Sequence, residues 1–280
     1  MFEVNEIKGG LELTGLDRFS VNKIFDCGQC FRFNETEGAV EGVAFGKVLR
    51  LEQTDGGTVR LYGIDKKDFD TTFCRYLALD CDYGAVDGDI IKRLNNDATI
   101  LKAIEYGSGI RILRQDGWEA LCSFIVSQNN NIPRIKKIIE SMSREFGEQI
   151  DGEHYAFPTA EALCEAGADR IFELKTGFRA KYIYDAAEKA ATGKIDLGLI
   201  PQMTTDDALE YLMQIKGVGL KVASCALLFG FDKTDAFPVD VWVERVLEKY
   251  YPDGLDLGNL GQYAGMIQQY LFYYERYNKQ

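Results

Sequence analysis

The chain has 280 residues, 46% of them apolar, and a formal net charge of −12. That length suits one large domain or roughly two to three ordinary ones around a real hydrophobic core. The acidic balance speaks against a nonspecific nucleic-acid binder, and no apolar run approaches the ~18 residues of a membrane span.

The first stretch, MFEVNEIKGGLELTG, has no basic flank followed by an apolar segment, so no secretory signal is expected. FRF, KVLRLEQT and VRLYGI then read as short strands separated by turns at CGQ, ETEG and DGG, which predicts a small, curved antiparallel sheet. Helical character begins to intrude at DFDTTFCRYLAL. Cys27 and Cys30 form one CxxC. No second pair follows, and His154 is the sole histidine, so neither a zinc site nor an iron–sulfur cluster is expected. The seven cysteines are sparse and irregular, which suits a reducing cytoplasm better than a disulfide framework.

From about residue 98 the rhythm becomes helical. Trp118, Leu121, Cys122 and Ile125 share one face, as do Ile135, Ile138 and Ile139. Ile171, Leu174, Phe178, Tyr182 and Ala186 continue the spacing, with a break at Thr176-Gly177. The division expected is a sheet domain over 1–97 and a helical domain over 98–280, packed together without a long linker. Small basic groups, Arg134 with Lys136 and Lys137, and Lys175 with Arg179 and Lys181, are either solvated helix faces or local DNA contacts.

Late in the helical block, Ala208, Leu209, Leu212 and Met213 mark one short helix, and a second runs from Leu220 to Phe229. The Ile215–Gly219 bend between them makes a helix-hairpin-helix. Gly217 and Gly219 permit close approach, so the bend can offer backbone amides to a phosphate. Carbonyls of the same bend could hold a structural metal. Lys221 stands near the start of its helix, where a cation is electrostatically disfavoured. It is either a snorkelling side chain or an amine poised to form a Schiff base. Asp240 follows Pro238 and opens VWVERVLEKY, so it suits a helix cap. A capping carboxylate kept ionised in a cleft can also stabilise positive charge on a sugar, and the two roles are compatible.

GVGLKVASC followed by AFPVDVW resembles the helix-hairpin-helix and Gly/Pro–Asp loop of base-excision DNA glycosylases, and a lysine at 221 resembles their bifunctional glycosylase/lyase members. CGQCFRF, SQNNNIPRI, TGFRAKY and YAGMIQQYLF narrow the likeness to the 8-oxoguanine DNA glycosylase family and extend it over nearly the whole chain. The resemblance implies an α+β fold, an antiparallel sheet domain packed on an all-helical core with the site in the cleft between. It implies that Lys221 attacks the C1′ of a flipped nucleotide, that Asp240 is its paired carboxylate, and that β-elimination then cuts the strand. The Gly28 carbonyl would accept from N7–H, which 8-oxoguanine has and guanine lacks. Gln268 and Phe272, one turn apart, would pair with and stack on the base, with Cys225 on its other side. Without the resemblance these four read as a turn glycine, a surface glutamine, a core phenylalanine and a core cysteine.

Asn129, Arg134 and Arg179 match residues that contact the orphaned cytosine. Phe178 stands where the family usually has tyrosine, and a ring of either kind can wedge the stack. Trp242 stands where the family often has histidine, which leaves its role open. Asn130 and Asn131 read as turn stabilisers. The implied partner is double-stranded DNA carrying 8-oxoguanine, preferentially opposite cytosine, acted on by a monomer without a cofactor, away from membranes, in the cytoplasm or on a prokaryotic nucleoid. Two other readings stand beside this one: a glycosylase of different base specificity, and a non-catalytic helix-hairpin-helix DNA-binding protein.

Overall fold

The computed structural model describes residues 2–94 and 97–278. The N-terminal part forms one six-stranded antiparallel sheet of β1 (Glu3–Ile7), β2 (Gly10–Thr14), β3 (Phe33–Thr36), β4 (Ala39–Ala44), β5 (Lys47–Gln53) and β6 (Val59–Tyr62), in the order β1-β2-β6-β5-β4-β3. Alternation decides its faces. Leu11 and Leu13, Leu49 and Leu51, and Val59 and Leu61 all point into one core, and Leu11 pairs with Leu61 as Leu51 does from the other side. The strands expected at KVLRLEQT and VRLYGI are present as β5 and β6, whereas FRF contributes only Phe33. A short helix, Val21–Asp26, lies between β2 and β3 and buries Val21, Ile24 and Phe25 against the sheet.

Helical turns occupy residues 66–76, as DFDTTFCRYLAL suggests. The helical body then begins with Tyr83–Arg93, ahead of the change of rhythm in the sequence. The two apolar cores do not divide at one chain position. Tyr83 and Ile90 belong to the helical core, while Leu113 fills the sheet core. Arg111 ties them, with its guanidinium donating to the carbonyls of Asp17, Arg18, Ala78 and Cys81 and lying 4.5 Å from the Tyr83 ring centre. Asp87, buried, accepts from Arg18 at 2.5 Å and from the Tyr270 hydroxyl at 3.0 Å, joining the same bodies again.

In the helical body, Gly117–Ser127 packs on Leu220–Gly230, with Phe124 stacked on Phe229 at 5.4 Å. Lys221, near the start of one helix, therefore lies beside Ser127 at the end of the other. The expected break at Thr176-Gly177 is present as an irregular turn with Lys175 and Gly177 at positive φ, before the Ala180–Ala191 helix. Among the described residues no helix is long and apolar enough to cross a membrane.

Candidate active-site cleft

A cleft of about 730 Å³ opens between the sheet part and the helical body. Its walls include Gly28, Asn129, Lys221, Cys225, Asp240 and Phe272, brought together from five separate stretches of sequence.

The hairpin forms as its residues dictate. Thr205–Leu212 ends, the chain bends, and Leu220–Gly230 begins with Gly219 at its N-cap. Gly217 has φ +79°, and a Cβ there would stand 2.3 Å from the Tyr182 ring, so only glycine fits the bend. Asp185 holds the bend from outside by accepting from the Lys216 amide at 2.7 Å and from Lys189 at 2.7 Å. Gly219 is exposed and supplies no side-chain cap. The first amides of the following helix are therefore open to an anion.

Lys221 follows one residue later, half-buried, with Nζ 3.4 Å from Ser127 Oγ and 5.7 Å from the centre of the Phe124 ring. Asp240 caps the Val241–Tyr250 helix, its Oδ1 accepting from the amides of Trp242 and Val243 at 3.0 Å each. One carboxylate thus caps a helix and faces the cleft. Burial pushes the Cys225 thiol up to about 11, while the Lys221 charge pulls it down and the Asp240 charge pushes it further up. The thiol is consequently neutral and lies within electrostatic reach of both charges. Trp242 is half-buried in the cleft wall with Arg245 4.7 Å from its ring centre.

One wall of the cleft is Gly28 against the Ala264–Tyr277 helix. Gly28 has φ +77°, and a Cβ there would meet Phe272 Cζ at 3.4 Å, so the turn lies flat on the ring's edge. Gln268 is buried on the same helix face, and its Oε1 has no partner among the described residues. A buried amide oxygen in a cleft wall can accept from a donor that enters the cleft.

The sequence reading missed what holds this wall. Buried Gln29 donates to the carbonyls of Ile24 and Arg111 and accepts from the Leu113 amide, Gln115 donates to the Gln29 carbonyl at 2.7 Å, and buried Gln269 donates to the Cys27 carbonyl at 2.8 Å. Single polar residues bonded to backbone far along the chain leave no periodic trace. The signal available was the run of glutamines itself, Gln29 inside CGQC and Gln269 beside Gln268.

A looser region adjoins the cleft: Asn129, Asn130 and Asn131 line it, whereas Arg134, Phe178 and Arg179 do not. Asn130 donates to the Val126 carbonyl and Asn131 caps the Ile132–Phe146 helix, as turn stabilisers should. Asn129, between them and the preceding helix, has φ +47°. Arg134 is exposed, 3.4 Å from the Lys175 carbonyl. Phe178 is 49% exposed, edge-on to Tyr182. Arg179 is instead buried beneath it, and its guanidinium is bonded to the carbonyls of Thr176, Gln128 and Asn129. Among the described residues no three His, Cys, Asp or Glu side chains gather as a metal site.

Known proteins share this arrangement. Residues 13–121 match the family model for the 8-oxoguanine DNA glycosylase N-terminal domain, and residues 122–254 match that for the HhH-GPD superfamily base excision DNA repair protein. The N-glycosylase/DNA lyase of Saccharomyces cerevisiae is 40% identical over 158 residues, a match spanning 51% of this chain and 42% of the yeast protein. The structure of MBOgg1 in complex with a low-affinity DNA ligand superposes with a TM-score of 0.93 at 38% identity, covering 100% of both chains. The 8-oxoguanine glycosylase/lyase of Clostridium acetobutylicum, bound to double-stranded DNA containing cytosine opposite 8-oxoguanine, gives 0.91 at 38%, covering 100% of this chain and 99% of that one.

Proposed function

The chain belongs to the 8-oxoguanine DNA glycosylase/lyase family of the helix-hairpin-helix superfamily, and from that membership we propose that it excises 8-oxoguanine from duplex DNA through a lysine Schiff base, preferentially opposite cytosine. The observation that carries the proposal is that Lys221 and Asp240 share one cleft with Gly28, Gln268 and Phe272. A nucleophile, a counter-charge and a base-reading wall are brought to one place.

The open amides after Gly219 take a backbone phosphate, and the damaged nucleotide leaves the stack for the cleft. Its base lies between Phe272 and Cys225, with the Gln268 amide on its Watson–Crick edge. The Gly28 carbonyl accepts from N7–H. Guanine has an acceptor at N7, and two facing acceptors cost the bond and add a desolvation penalty of ~1–3 kcal/mol. The amine of Lys221 then attacks C1′. The C1′–N9 bond breaks with its electron pair going to the base, which takes up a proton. Positive charge that develops on the sugar is stabilised by Asp240, whose Oδ1 accepts from two backbone amides at the helix N-terminus. The nitrogen of Lys221, now bonded to C1′, loses a proton and gives its lone pair to open the C1′–O4′ bond, O4′ takes up a proton, and the resulting imine acidifies C2′–H. Loss of that proton expels the 3′ phosphate by β-elimination.

On the other strand, Phe178 fills the gap, and Asn129 and Arg134 donate to the orphaned cytosine. Arg179 is bonded to the carbonyl of Asn129, so it supports this reading through the backbone; reaching a base would require it to release those carbonyls.

The test is borohydride reduction in the presence of duplexes carrying one altered base each. A covalent protein–DNA adduct with 8-oxoguanine:cytosine, absent with undamaged DNA, is expected. Binding without an adduct on any duplex supports the non-catalytic reading, and an adduct confined to an oxidised pyrimidine overturns the base assignment.

A further inference from the structure

The Ala264–Tyr277 helix carries a third cleft residue beyond the two that face the base. Gln268, Phe272 and Arg276 stand at i, i+4 and i+8, so they form one row along the helix. Burial falls along the row: Gln268 is 4% exposed, Phe272 is 8% exposed, and Arg276 is half-buried. The row thus climbs from the floor of the cleft to its mouth, and all three residues line it.

The surroundings of Arg276 are unusual for a cation in an acidic protein. Its guanidinium carbon lies 5.5 Å from the centre of the Phe272 ring and 5.1 Å from that of Tyr277. Among the described residues it makes no ion pair within 4.0 Å, and its neighbour Glu275 is directed to Lys249 at 3.9 Å. A cation in the last turn of a helix is favoured by the helix dipole, which accounts for its charge but not for its lying over a ring in the cleft wall. Stacked guanidinium is held in place and keeps its five donors directed outward.

On the function proposed above, the base edges are already served. Gln268 takes the Watson–Crick edge and the Gly28 carbonyl takes N7–H. What remains of a flipped nucleotide at the mouth of the cleft is its sugar and phosphates. We propose that Arg276 binds a phosphate flanking the flipped nucleotide and holds it while Phe272 holds the base. The chemistry it recognises is a phosphodiester drawn into the cleft, so it acts on the extruded state rather than on duplex in general.

The experiment compares wild type with Arg276→Met, which keeps an apolar stem over Phe272, and with Arg276→Lys, which keeps the charge. Affinity for 8-oxoguanine:cytosine duplex and for the undamaged duplex is measured over a range of salt, alongside single-turnover excision at saturating protein. Arg276→Met should bind the lesion duplex about tenfold more weakly at 0.1 M salt, with the slope of log affinity against log salt reduced by about 0.9. Excision at saturation should fall by less than affinity does, and Arg276→Lys should restore most of the slope. Affinity for undamaged duplex should change less than that for the lesion duplex. An unaltered lesion affinity and salt slope in Arg276→Met leaves Arg276 as a helix-end cation and overturns the proposal. A reduced preference for 8-oxoguanine over guanine at an unaltered slope makes it a base reader and overturns it equally. Should Arg276→Met fail to fold, a wild-type slope and affinity in Arg276→Gln serves as the overturning result. A wild type without preference for the lesion duplex defeats the parent reading, whatever the variants do.

Discussion

Two regions at the cleft are built to different standards. The wall made by Gly28 and the Ala264–Tyr277 helix is buried and tightly bonded: Gln29, Gln115 and Gln269 fix the Cys27–Cys30 turn, and Gly28 lies against Phe272. The Asn129–Arg134 and Lys175–Phe178 stretches beside it are exposed at Phe178 and Arg134 and turn through positive φ at Asn129 and Lys175. A wall that must tell an N7–H donor from an N7 acceptor gains from fixed positions, because a misplaced carbonyl loses the discrimination. A region that receives a whole strand needs side chains that can close on it. Variants in the first region should therefore lose chemistry on every duplex, and variants in the second should change only which duplex is preferred.

The largest effect is expected at Lys221. Lys221→Gln keeps length and polarity without a nucleophile, so imine trapping should vanish and excision should fall by about 10⁴-fold or more, with most DNA affinity retained. Wild-type excision by this variant removes Lys221 from its role. Asp240→Asn comes next. Asparagine still caps a helix, so stability should hold, while single-turnover excision should slow by about 10²–10³-fold on both cytosine- and adenine-paired lesions. Lost stability with unchanged excision would reduce Asp240 to a cap.

Gln269→Leu tests the rigidity of the first region without touching a base. It leaves the buried Cys27 carbonyl without its donor, at a cost of about 1–3 kcal/mol by denaturant unfolding, and lesion-over-guanine selectivity should fall with it. Full selectivity in a destabilised variant would show that the wall tolerates movement. In the second region, Arg134→Ala should narrow the ratio of excision opposite cytosine and adenine by about tenfold, since one directional contact is worth ~1–3 kcal/mol. The rate opposite cytosine should carry the change. If instead both rates collapse together, the contrast between the two regions fails.

How much of this was legible depends on whether a residue acts through its neighbours in sequence or across the fold. The hairpin and the Asp240 cap are local, so spacing and residue type expose them. The Tyr83–Arg93 helix escaped because Gly84 and Gly88 lower its helical propensity, and only packing of Tyr83 and Ile90 on the core sustains it. β1 escaped because EVNEI is an edge strand with its polar side outward and shows little alternation, whereas GLELT of β2 alternates, with Leu11 and Leu13 buried, and was legible in the sequence though unread. The glutamine clamp and Arg111 act on carbonyls that pattern reading cannot assign. The resemblance placed Arg179 beside the orphaned base, whereas local packing directs its donors into the backbone beneath Asn129.

The last expected effect lies where the two sides meet below the cleft. Arg32, just past the Cys27–Cys30 turn, stands 3.9 Å from Glu119 on the helix that leads to Ser127. Burial pushes the Glu119 carboxyl up to about 7 from an ordinary value of 4.5, against the pull of Arg32. The folded state therefore holds this proton more tightly than the unfolded chain. Its stabilising contribution is greatest in acid and is lost as pH rises from about 4.5 to 7. Wild type should lose about 2–3 kcal/mol relative to Glu119→Gln across that window, read from paired unfolding curves. A constant difference would place Glu119 in contact with water.

The bond from Gln269 to the Cys27 carbonyl joins residues 242 apart in the chain. During synthesis the sheet, the hairpin and Lys221 all leave the ribosome before the partner of that carbonyl exists. At the usual pace of about 5–20 residues per second, the Cys27–Cys30 turn stays without that bond for ~10 seconds or longer after it is made. A nascent chain can thus hold its hairpin and Lys221 before the Cys27–Cys30 turn is fixed. The order of assembly follows from topology, with this wall of the cleft completed by one of the contacts most distant in sequence.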